Sequence, residues 1–243
     1  MKFKKIVGFG DSWTWGDELL DPELARIDPT AHPCFTQNQD YRESNCFIGL
    51  LGKHYNVPTE NHSLPGGSLQ SEMWTFLWWL EQEPNPEECL VLVGHTDADR
   101  MSFYNPNHVS YSNDPPWNRY VNTAWVHATD DVVSRDWKEL FKRYIALSSC
   151  SKLNRLNYHQ ATLMFDGIAA RRNIPMLQFN IMSPPPDQMY TPTVIWPDDC
   201  LMLWLRHHPE NQKGELLKPD GHPNELGHQF IRDRLISEID MLY

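Results

Sequence analysis

The chain has no apolar run longer than a few residues, well short of the roughly 20 that a membrane-spanning helix needs. Its first five residues, Met1-Lys2-Phe3-Lys4-Lys5, lead into a glycine-rich turn too early for the apolar stretch of an export signal, so a soluble cytoplasmic protein is expected. Cysteines are few, odd in number and scattered. Cys34, Cys46, Cys89, Cys150 and Cys200 form no C-x-x-C pair, which argues against both a disulfide framework and a zinc knuckle and fits a reducing compartment. Basic charge is also scarce, with 21 Lys and Arg against 32 Asp and Glu for a net charge of -11. Such a chain repels phosphate backbones, so nucleic acid is not an expected partner. There is no internal repeat and no low-complexity tract.

What is present is the material of a folded core. Forty per cent of the 243 residues are apolar and ten are tryptophan, which excludes a disordered chain and suits one α/β domain over the whole length. Apolar runs of strand length occur at Ile6–Phe9, Cys89–Val93 and Met176–Phe179, with a weaker one near Tyr55–Asn61. Helical patterns lie between them, at Asn45–Tyr55, at Ser68–Glu81, over Ser134–Arg172 as two helices, and from Asn224 towards Met241. The alternation predicts a three-layer α/β/α sandwich on a mostly parallel sheet. Residues 101–133 and 183–219 escape the pattern and read as long insertions or lids.

The first strand stops at Gly10-Asp11-Ser12. Ligands of open parallel sheets bind at the carboxyl ends of the strands, so Ser12 is expected at the rim where chemistry is done. A serine or aspartate there also serves simply to cap the next helix. A serine nucleophile needs a base, and the base needs a carboxylate to orient it. Near the other end, Lys218-Pro219-Asp220-Gly221-His222-Pro223-Asn224 places Asp220 two residues before His222; an extended segment would point both side chains the same way. Asn224 is placed to cap the last helix.

With Gly-Asp-Ser after the first strand and Asp and His before the last helix, the chain resembles the SGNH (GDSL-type) hydrolases. That resemblance implies a flavodoxin-like fold and hydrolysis or transfer of acyl groups on carbohydrates, lipids and other esters. It implies Ser12 as nucleophile, His222 as base and Asp220 as its partner, with the Ser12 N–H as one oxyanion donor. Asn61-His62-Ser63-Leu64-Pro65-Gly66-Gly67-Ser68 resembles the second family block, with Gly66 as the next oxyanion donor and Gly67 as the alternative. In the third block the family carries Gly-x-Asn-Asp, whereas this chain has Gly94-His95-Thr96-Asp97, putting Thr96 in the asparagine's place; Arg100 and His95 are other candidates for that donor. The fourth block is one residue tighter than the usual Asp-x-x-His.

The resulting expectation is a serine esterase acting on a small-molecule or carbohydrate ester, without a cofactor. Transfer of the acyl group to a sugar, or a non-catalytic binding module on the same fold, are the alternatives. No histidine pair has the spacing of metal ligands on one helical face, so no metal is expected. Trp13 and Trp15 flank the nucleophile turn, and one of them is expected to line a pocket.

Overall fold

A computed structural model describes residues 3–104, 120–123, 134–148, 150–184, 191–211 and 214–243. The uninterrupted apolar runs become the strands β1 (Lys5–Phe9), β3 (Cys89–His95) and β6 (Met176–Asn180), and the weaker run supplies the short β2 (Thr59–Asn61). These four form a parallel sheet in the order β2-β1-β3-β6, in which Ile6 pairs with Leu90 and Val91 with Met176. A second, two-stranded antiparallel ribbon pairs β4 (Ser102–Tyr104) with β5 (Tyr120–Asn122).

Nine helices are described: α1 (Ser12–Trp15), α2 (Pro22–Ile27), α3 (Gln39–Asn45), α4 (Phe47–Tyr55), α5 (Leu69–Gln82), α6 (Arg135–Ser148), α7 (Ser151–Arg172), α8 (Leu201–His207) and α9 (Glu225–Leu242). Because side chains alternate along a strand, the sheet presents two apolar faces. Ile6, Leu90, Leu92, Leu177 and Phe179 point to the layer of α4, α8 and α9; Val7, Phe9, Val91, Val93 and Met176 point to α5 and α7. The three-layer α/β/α sandwich expected from the alternation is therefore the observed one.

Start signals in the sequence fix the helices nearest the sheet. Ser68 and Ser71 cap α5 reciprocally, and the Asn224 side chain accepts the Gly227 N–H at the start of α9. The expected lids are only partly described. Residues 105–119 and 124–133, with Trp117 and Trp125, lie outside the described residues, as do 185–190 and 212–213. Within 183–219, Leu201 and Leu205 bury α8 against the core, so that stretch contributes structure as well as loop. No described helix is long and apolar enough to cross a membrane.

Candidate active site

β1 ends at Phe9, and the turn that follows is forced by Gly10. Its φ is +158°, and a Cβ there would sit 2.4 Å from Thr14 Oγ1 and 2.9 Å from the Gly94 carbonyl. Asp11 then caps α1, its Oδ1 accepting the Trp13 N–H at 3.0 Å. Ser12 is the first residue of α1, so its N–H is among those a helix leaves without an internal partner. The capping role and the rim position thus coexist in adjacent residues.

The far end of the chain reaches this turn. His222 Nε2 lies 2.9 Å from Ser12 Oγ, and His222 Nδ1 lies 2.8 Å from Asp220 Oδ2. Asp220 Oδ1 also accepts the His222 N–H at 3.1 Å. An Asp carboxylate on Nδ1 places the ring hydrogen there and leaves Nε2 to accept the serine hydroxyl. Burial works against the Asp220 carboxylate, but its bonds to the His222 N–H and ring outweigh it and hold its pKa below the usual carboxylate range. The segment between them is not extended. Gly221 adopts φ +94°, the Gly221 N–H donates to the Lys218 carbonyl, and the Lys218 N–H to the His222 carbonyl, so a tight turn brings the two side chains together.

The second loop is laid along the end of β1 and the Gly10–Ser12 turn by backbone bonds. The His62 N–H donates to the Gly8 carbonyl and the Leu64 N–H to the Gly10 carbonyl, at 2.8 and 2.9 Å. The Asn61 amide donates to the Thr14 carbonyl at 2.7 Å, joining this loop to α1. Gly67 spends its N–H on the Leu64 carbonyl, whereas the Gly66 N–H bonds to no described residue.

The third loop differs from expectation. The Thr96 hydroxyl donates to Asp11 Oδ2 at 2.8 Å, and its N–H donates to Glu72 Oε1 at 3.1 Å. With its one hydroxyl hydrogen on Asp11, Thr96 braces the residue beside Ser12; this arrangement does not give it the oxyanion bond expected from its position. His95 is committed as well, bridging Glu72 Oε2 and Gln178 Oε1 at 3.1 and 2.8 Å. Arg100 lies over Asp11, at 3.5 Å from Oδ2.

Glu72 was not anticipated as part of the site, although a signal exists: it stands three residues after Leu69 and four before Phe76, within the buried stripe of α5. Burial raises the pKa of Glu72, and of Asp11 despite Arg100, Thr96 and Trp13. Burial likewise raises Asp17, which with Glu18 and Asp220 forms an acidic surround to His222. Trp13 is buried in the core, and Trp15 carries the Arg42 guanidinium 3.6 Å above its ring, so both tryptophans serve packing. All five cysteines are free, and among the described residues no cluster of His, Cys, Asp or Glu is placed to hold a metal ion.

No protein-family model matches the chain, and no curated protein matches it. Among solved structures, it is similar to the psychrotrophic esterase EstA from Pseudoalteromonas sp., at 13% identity and a TM-score of 0.47 over 98% of this chain and 97% of that one. It is also similar to an α/β hydrolase enzyme from the metagenome of Lake Arreo, Spain, at 14% identity and TM-score 0.46 over 99% and 96%. A member of the lipolytic G-D-S-L family from Veillonella parvula matches at 12% identity and TM-score 0.40, over 96% of each chain.

Proposed function

We propose that this protein is a serine-dependent hydrolase of acyl esters, of the SGNH type that its sequence blocks resemble. The observation that carries the reading is the continuous chain Ser12 Oγ, His222 Nε2, His222 Nδ1, Asp220 Oδ2, with both links inside hydrogen-bond distance. A capping serine has no need of such a chain. Ser12 Oγ attacks the acyl carbon while its proton passes to His222 Nε2, and the Asp220 carboxylate steadies the imidazolium. The proton then goes to the leaving alkoxide, releasing the alcohol and leaving an acyl-serine. Water, deprotonated by the same His222, attacks that acyl group; the bond from the acyl carbon to Ser12 Oγ breaks, the carboxylic acid leaves, and the proton on Nε2 returns to Ser12 Oγ.

The N–H groups of Ser12 and Gly66 are the donors we assign to the tetrahedral oxyanion. Gly66 is preferred to Gly67 because the Gly67 N–H is already bonded to Leu64. Thr96 enters the same hole indirectly, by holding Asp11 at the start of α1. Preorganised donors of this kind each contribute on the order of 100- to 1,000-fold in turnover.

Hydrolysis of a p-nitrophenyl series from acetate to octanoate tests the reading, with a fluorophosphonate label reporting Ser12 directly. Ser12→Ala and His222→Ala should each lower kcat by at least about 1,000-fold, and label should be lost from Ser12→Ala. An unmodified protein that takes no label and matches Ser12→Ala on every ester would reject it.

A further inference from the structure

Between α5 and the end of β3 a carboxylate and an imidazole are shut away from water together. Neither Glu72 nor His95 exposes any of its side chain. Glu72 Oε1 accepts the Thr96 N–H at 3.1 Å, and Oε2 lies 3.1 Å from His95 Nδ1. The other ring nitrogen, Nε2, lies 2.8 Å from Gln178 Oε1 on β6.

The partners of Gln178 locate the hydrogens. The Thr162 carbonyl can only accept, so the Gln178 group 3.2 Å from it is the NH2, which also reaches Thr193 Oγ1 at 2.6 Å. The Gln178 oxygen therefore faces His95, and Nε2 carries a hydrogen. A neutral ring with its hydrogen on Nε2 shows a lone pair at Nδ1, and a bare carboxylate also shows only lone pairs. The two attract only with a proton between them, as a carboxyl O–H donating to Nδ1 or as a ring N–H donating to the carboxylate. In both forms the pair holds one proton and no net charge. A site without water favours that state, and so does the Asp11 carboxylate, which opposes a charge on Glu72.

This pair leads directly to Ser12. Thr96, held by its N–H on Glu72, gives its hydroxyl to Asp11 Oδ2 at 2.8 Å. Asp11 Oδ1 in turn accepts the Trp13 N–H at the start of α1, whose first residue is Ser12. A displacement of about 1 Å in a reacting group can cost on the order of 100-fold in rate.

We propose that Glu72, sharing a proton with His95, is a positioning residue for Ser12: it fixes Thr96, which fixes Asp11, and so sets the direction of the Ser12 N–H and hydroxyl. The inference rests on the hydrolase reading for its effect on rate, and on geometry alone for its effect on the turn.

Glu72→Gln and Glu72→Asp test it with opposite changes. Glutamine removes the acid and keeps the reach, its oxygen accepting the Thr96 N–H and its NH2 donating to His95 Nδ1. Aspartate keeps the acid and draws it back by one carbon–carbon bond, about 1.5 Å. In p-nitrophenyl acetate hydrolysis, counted per folded molecule, Glu72→Gln should stay within about threefold of the unmodified kcat. Glu72→Asp should lose about tenfold to 100-fold in kcat with KM within about twofold, and fluorophosphonate labelling should slow in step. A residue that only supports the fold would lower the melting temperature and leave the rate per folded molecule unchanged, which overturns the proposal. So does a folded Glu72→Gln variant that loses tenfold or more in kcat, an outcome readable even where Glu72→Asp fails to fold.

The backbone amide resonances of Ser12, Trp13 and Thr96 in proton–nitrogen NMR give a readout that needs no catalysis. All three should move in Glu72→Asp and stay in place in Glu72→Gln. If the unmodified protein cleaves no ester and takes no label, the hydrolase reading fails alone, and these resonances still decide the positioning. A shift confined to Thr96 in Glu72→Asp overturns it.

Discussion

Thr96 shows how one side chain is assigned its task by its neighbours. Asp11 is completely buried, and a buried carboxylate must have its oxygens satisfied; the Trp13 N–H serves one and the Thr96 hydroxyl the other. Thr96→Val keeps the shape and removes that donor. It should therefore destabilise the fold by about 1–3 kcal/mol in chemical denaturation, while Thr96→Ser, which keeps the hydroxyl, stays within about 1 kcal/mol. A direct oxyanion role for the hydroxyl would instead show as a loss of kcat on Thr96→Val with little change in stability, so measuring both on one pair of variants separates bracing from catalysis. Such commitments mark the limit of what the residue pattern conveys. Ser12, Asp220 and His222 were legible because chemistry restricts which side chains suffice and a topological rule places Ser12 at the sheet rim. The Thr96 bond to Asp11 was not, because it depends on a contact across 85 positions that no spacing encodes.

At the scale of elements, the central strands were readable because a strand buried on both faces needs an unbroken apolar run, as Cys89–Val93 is. α1 was not, since four residues show no period, nor was the β4–β5 ribbon, whose two strands of three residues are too short to show one. The seam between α4 and α9 contains a further buried group, His228, which is fully enclosed and accepts the Phe47 N–H at Nδ1. Its hydrogen is thereby placed on Nε2, which has no partner among the described residues. Burial, with a smaller contribution from His222, lowers its pKa from 6.5 to about 3. The folded state thus prefers neutral His228 while the unfolded chain protonates near 6.5, so the unfolded state binds more protons between those values. Stability from this group is complete above about 6.5 and declines as the pH falls towards 3, by up to roughly 1.4 kcal/mol for each pH unit. Comparison of the unmodified protein with His228→Gln at pH 7 and pH 5 isolates the effect, because most carboxylates titrate below that window. The unmodified protein should lose about 2 kcal/mol more than the variant between the two pH values; equal losses would mean that His228 is already charged or reaches water in the fold.

For the whole molecule, the candidate site exists only because residues 210 positions apart meet, Ser12 following the first strand and His222 preceding the last helix. The position of His222 therefore depends on how α9 is fastened. On one side α9 packs Ile231, Leu235 and Ile239 into the core with α4. On the other, Arg234 stacks on Trp196 at 3.8 Å and Trp204 at 4.6 Å, and its guanidinium binds Asp199 at 2.9 Å, joining α9 to the segment that carries α8. A planar guanidinium can lie against two rings and still reach a carboxylate, whereas an ammonium on a flexible stem cannot do all three. Arg234→Lys keeps the charge and should cost about 1–2 kcal/mol, and Arg234→Ala about 2–3 kcal/mol, through lost cation–π and packing contacts. Since α9 carries the clamp one helical turn and more beyond the His222 loop, loosening it should also slow fluorophosphonate labelling of Ser12 at temperatures below the unfolding midpoint. Labelling that stays at the unmodified rate in Arg234→Ala until the protein unfolds would show instead that the apolar seam with α4 is enough to hold the two ends of the site together.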